Sequence, residues 1–128
     1  MIHARVALRP YSEICAAMEA ICRRHGYGVL GSHNVGDTLR SKGIAYSGQC
    51  TVFEICQPVH AAAILASDEQ LASALPCRIA VSGHEGCTTV SMVSPQRLFE
   101  ELSHSPAVQQ LARTVEQETL AILEESSH

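Results

Sequence analysis

Two prolines divide the middle of this chain into pieces that have little choice of structure. Pro58 follows Thr51-Val52-Phe53-Glu54-Ile55-Cys56-Gln57, and Pro76 precedes Cys77-Arg78-Ile79-Ala80-Val81. Proline lacks a backbone N–H, so it can open a helix but does not fit a helix interior or the middle of a sheet. The pattern predicts a strand over Cys50–Cys56 and a helix starting at Pro58. It also predicts a second short helix that stops before Pro76, and a strand from Cys77 to Ser82. The intervening helices can return the chain to the same sheet, making the two strands neighbours. Cys56 and Cys77 would then stand near one edge of that sheet, close to the first turn of the Pro58 helix and to His60.

The flanking segments read in the same way. Ala4 to Leu8 is a short first strand with Val6 and Leu8 on one face. A helix starts at Pro10 and buries Ile14, Met18, Ile21 and Cys22 at helical spacing. Arg23, Arg24 and His25 complement its negative end, and Gly26 stops it. Tyr27 to Val35 is a second strand and Asp37 to Lys42 a short helix. In the third strand Thr51, Phe53 and Ile55 share one face, and Cys50, Val52, Glu54 and Cys56 the other.

After Pro58 the helix carries Val59, Ala62, Ala63, Leu65 and Ala66. Ser67-Asp68-Glu69-Gln70 has the capping-box pattern that begins the short helix before Pro76. Gly83-His84-Glu85-Gly86 links the strand from Cys77 to another over Cys87–Val93. A short helix follows over Pro95–Leu102. Ser105 caps a final helix with Pro106 in its first position. Its buried stripe is Val108, Leu111, Ala112, Val115 and Ile122 with Thr119, while Glu116, Gln117, Glu124 and Glu125 face water.

With 128 residues and no linker, residues 1–128 form a single domain. Apolar residues make up 46% and aromatic ones only 4%, so the core is built from Ala, Val, Leu, Ile and Cys. A net charge of −4 argues against nucleic acid as a partner. No apolar run reaches the ~20 residues that span a membrane, and no secretion signal is visible. The six cysteines contain no C-x-x-C pair, which makes reduced thiols in the cytoplasm the expectation.

Gly26-Tyr27-Gly28-Val29-Leu30-Gly31 spells G-x-G-x-x-G. It follows a helix and opens a strand, the reverse of the dinucleotide-binding arrangement, so it reads as a helix stop with close backbone packing. No two histidines have metal-site spacing. His33, on or after the second strand, and His60, in the first turn of the Pro58 helix, are the candidate ligand histidines. Cys56 lies just before a helix N-terminus, which favours a thiolate and predicts a lowered pKa. Paired carboxylates occur only as neighbours in sequence, which point apart on a helix.

Several of these pieces together resemble the domain-of-unknown-function family numbered 302. They are Gly26-Tyr27-Gly28-Val29-Leu30, Thr38-Leu39 with Lys42-Gly43, Phe53-Glu54-Ile55-Cys56-Gln57-Pro58 with Ala61, and Leu75-Pro76-Cys77-Arg78-Ile79. The resemblance implies an α+β fold of β-α-β(n)-α layout, in which an antiparallel sheet of about five strands carries helices on one face. It also implies a homodimer, and it brings no established activity. Relatives usually carry Asn where this chain has Gln57, and Asn is the better helix cap.

The functional expectation is a small dimeric cytoplasmic domain that binds a small molecule or cofactor. Cys56, His60, Cys77 and His33 are its candidate binding residues. Haem is the most specific cofactor suggested, because it needs one axial ligand and an apolar slot. The alternatives are a thiol-based redox or sulfur-transfer protein using Cys56 and Cys77, and a structural or regulatory interaction module.

Overall fold

The computed structural model describes residues Met1–His128. Five strands form one antiparallel sheet: β1 (Ile2–Ala7), β2 (Gly28–Asn34), β3 (Gln49–Cys56), β4 (Cys77–His84) and β5 (Cys87–Val93). Their order across the sheet is β1-β5-β4-β3-β2. The helices are α1 (Tyr11–Arg24), α2 (Val35–Ser41), α3 (Pro58–Ser67), α4 (Pro95–Leu102) and α5 (Pro106–Ser127). A 3₁₀ segment over Glu69–Ala74 joins α3 to β4. This is the expected α+β fold.

Polar side chains set the helix starts, Ser105 at the place the sequence implies, while α2 begins at Val35, two residues before the expected Asp37. Ser94, Ser105 and Asn34 accept backbone N–H groups of α4, α5 and α2. At the 3₁₀ segment Asp68, not Ser67, is the cap, accepting from Gln70 N at 2.9 Å. Gln57 also caps: its Oε1 accepts from His60 N at 3.1 Å, so the first turn of α3 is closed without the family's Asn. The longer Gln side chain reaches the orphan N–H that Asn would serve. The β4–β5 hairpin is tighter than expected, with only Glu85 and Gly86 between the strands, both at positive φ.

One face of the sheet packs against α1 and α5. Ile14, Met18, Ile21 and Cys22 of α1 meet Phe53, Ile55, Ile79, Val81, Val90 and Met92 of the sheet and Ile122 and Leu123 of α5. A second, smaller core joins Ile64 of α3, Leu71, Phe99 of α4, and Val108 and Ala112 of α5.

The structure decides which way β1 faces and corrects one reading on α5. Val6 and Leu8 lie exposed, at 69% and 82%, while His3 and Arg5 of β1 reach toward α5. Glu116 does not face water. It is buried and accepts from Ser94 Oγ at 2.7 Å and Gln96 N at 3.0 Å, with His3 Nε2 at 2.5 Å. Glu124 and Glu125 face water as expected and pair at the surface with Arg5 and with Arg24 and His25. Single-helix periodicity cannot foresee such bonds, because their partners come from other elements of the fold.

Candidate functional site

At the seam between the two cores the walls do not close completely. The gap lies where β3 passes into α3 and where the chain enters β4. Ile55, Cys56 and Gln57 bring one wall, His60, Ala61 and Ile64 of α3 a second, and Leu75, Pro76 and Cys77 a third. Tyr27, Phe99, Ala112 and Val115 complete it. Ten of the 13 lining residues are hydrophobic. That composition, with a few polar groups at fixed positions, is typical of small-molecule clefts. The space is about 390 Å³ counted out to its open mouth, but the walls stand close enough to leave room for little more than one water.

The juxtaposition expected of Cys56, His60 and Cys77 is present. Ile55 pairs with Cys77 across β3 and β4, so Cys56 stands one residue along, diagonal to Cys77. All three side chains line the cleft. His33 does not join them. It lies exposed on β2 with its Nε2 2.8 Å from Glu54 Oε1.

Two residues absent from the sequence-based candidates complete the polar part. Glu118 Oε1 lies 2.8 Å from His60 Nε2 and accepts the Tyr27 hydroxyl at 2.9 Å. In the tautomer whose Nε2 donates to the carboxylate, Nδ1 is the ring's free acceptor atom. Burial, followed by the Glu118 carboxylate, pushes the Tyr27 hydroxyl far above the usual tyrosine range. Tyr27 therefore stays a neutral donor. It stood within the quoted Gly26–Leu30 motif, but nothing along the chain marks Glu118 as its partner.

The thiols differ from expectation. Burial raises the pKa of Cys56, although α3 begins two residues later. Burial, with the neighbouring Cys56, pushes Cys77 up to about 11 against a smaller lowering by Arg78. Desolvation of the charged sulfur outweighs the helix dipole here. Both sulfurs are protonated at neutral pH and contribute soft, weakly polar wall to the cleft. No three His, Cys, Asp or Glu side chains converge to hold a metal ion. A porphyrin does not fit between these walls, and His60 Nε2 is engaged by Glu118.

The comparisons agree with this architecture. The family model "Domain of unknown function DUF302" matches residues 3–126. The chain belongs to this family. A crystal structure of an uncharacterised conserved DUF302 protein from Bacillus stearothermophilus is similar to it, with 25% identity and a TM-score of 0.91. That match covers 99% of this chain and 98% of the other. No curated protein matches. Within this DUF302 chain no helix is long and apolar enough to cross a membrane.

Proposed function

We propose that this DUF302 domain binds a small, mainly apolar molecule in the cleft at the β3–α3 junction, and that it works as a dimer of identical chains. The observation that carries the ligand reading is the convergence of ten hydrophobic walls on one polar point, the His60 ring held by Glu118. The apolar walls would supply affinity, and His60 Nδ1 would select a ligand carrying one hydrogen-bond donor. Entry requires the walls to part, because the resting gap is narrow. Six unpaired thiols suit a reducing compartment, so the reading places the domain in the cytoplasm.

Indole is a suitable probe, being small, apolar and a single donor, and its fluorescence is unobscured in a chain without tryptophan. Saturable binding of indole, weakened at least tenfold by Ala61→Leu and by His60→Ala, is the expected result. Binding that fails to saturate, or that ignores both substitutions, would overturn the reading.

A further inference from the structure

Beside the cleft lies a second hollow, of about 190 Å³, where β4 begins and β5 ends. Pro76, Cys77 and Phe99 line both, so these three side chains form the partition between the two spaces. Val93 at the end of β5 and Leu98 of α4 add apolar surface that the cleft lacks.

Arg78 is the one charged residue in the lining of this hollow, and no acid is there to answer it. Arg5, Arg23, Arg24 and Arg40 each meet a carboxylate of the chain, whereas the exposed Arg78 meets none. Glu54 stands opposite it on β3, yet the Glu54 carboxylate takes His33 Nε2 at 2.8 Å instead. Strand alternation puts Arg78 on the open face of the sheet and Cys77 on the other. The arginine charge is nevertheless felt at the partition. Burial and then Cys56 raise the Cys77 thiol, and Arg78 works against them.

We infer that this hollow is the antechamber of the cleft and that Arg78 selects the head of the ligand, so the molecule bound here is a small apolar acid. This rests on the ligand reading above and names the ligand's chemical class. The guanidinium is a planar fork whose paired N–H groups match a carboxylate. Set against apolar walls, it meets both halves of such an acid: the carboxylate and the hydrocarbon or aromatic body. A cation would be repelled there, and a neutral molecule would leave the guanidinium unanswered. The cleft admits a ligand only when its walls part, and parting Pro76, Cys77 and Phe99 joins it to the hollow. The body of the acid would then fill the cleft with its donor on His60, while the carboxylate stays at the rim on Arg78.

The test is fluorescence titration of the full chain with indole, indole-3-acetate, indole-3-butyrate and the primary amides of the two acids. The two tethers suit different thicknesses of partition, and each amide keeps the shape of its acid without the charge. At least one acid should bind about fivefold or more tightly than its amide, the upper end of what an exposed ion pair contributes. Arg78→Gln should bring acid and amide level and leave the binding of indole as it was. Leu98→Glu, in the hollow but outside the cleft, should weaken the acid by a similar factor and spare indole. It carries the test if Arg78→Gln does not fold. Acids that bind no tighter than their amides, or a preference that survives both substitutions, would overturn the inference, and saturable indole binding in the same titrations would leave the cleft reading standing. If neither indole nor any derivative binds, both fall.

Discussion

Glu118 Oε1 and His60 Nε2, 58 residues apart in sequence, lie 2.8 Å apart at the rim of the apolar cleft. The same oxygen accepts the Tyr27 hydroxyl, so one carboxylate ties the residue before β2, α3 and α5 together. Hydrogen bonds to a charged group contribute about 1.5–3 kcal/mol when buried, and less where, as here, the carboxylate is over a third exposed. Tyr27→Phe and Glu118→Ala should each cost about 1 kcal/mol and should together cost less than their sum, because both remove the Tyr27–Glu118 bond. Urea unfolding of the two single variants and the double variant measures this. Full additivity would mean that the bond contributes nothing.

The thiols are predicted to be slow. With Cys77 pushed from 9.0 to about 11, its thiolate fraction at neutral pH is about a hundredfold smaller than for an unshifted thiol. Iodoacetamide at pH 7.5 should alkylate the exposed Cys87 first, Cys56 more slowly and Cys77 last. Mass spectrometry of peptides over time gives the order. If Cys56 reacts faster than a free thiol such as glutathione, the thiol-chemistry alternative returns.

Glu116 predicts an acid-side loss of stability. Burial by itself would raise its pKa, but the Gln96 N–H, the Ser94 hydroxyl and His3 together hold it below the ordinary value. A depressed folded pKa contributes stability that is present above the unfolded value, near 4.5, and is lost as pH falls through the folded one. Glu116→Ala should therefore cost about 2 kcal/mol at pH 7, and the gap to wild type should shrink below pH 4.5. Denaturant midpoints at pH 7 and at progressively lower pH test the sign.

Anchoring of α3 is predicted to depend on one side chain. Ile64 is 2% exposed and packs with Leu71, Phe99, Val108 and Ala112, whereas Val59 is 71% exposed. Ile64→Ala should cost about 2–4 kcal/mol. Val59→Ala should change stability by less than about 0.5 kcal/mol. Equal effects at the two positions would show that α3 is not docked through Ile64.

Much of this protein was legible along the chain because its cause is local. Pro58 and Pro76 end strands and helices by lacking an N–H, Ser105 caps by accepting a backbone N–H, and Gly26 supplies the positive φ at the α1 stop. The neighbouring of Cys56, His60 and Cys77 followed from the same logic, since helices between two strands bring the chain back to one sheet. The capping by Gln57 was not foreseen, because cap preference is an average and one longer side chain can still reach.

What depended on partners far along the chain was decided only by the tertiary structure. Periodicity placed Glu116 on a solvated face, yet the arrival of α4 and of His3 made that position a buried anion site. Alternation grouped Val6 with Leu8 but could not say which face of β1 meets α5. The helix dipole favoured a Cys56 thiolate, yet partial burial of the sulfur raises its pKa instead. Cap chemistry and alternation act over a few residues and are written in sequence. The rotation of α5, the face of β1 turned to it and the dielectric around a thiol depend on elements far apart in the chain, and only their packing sets them.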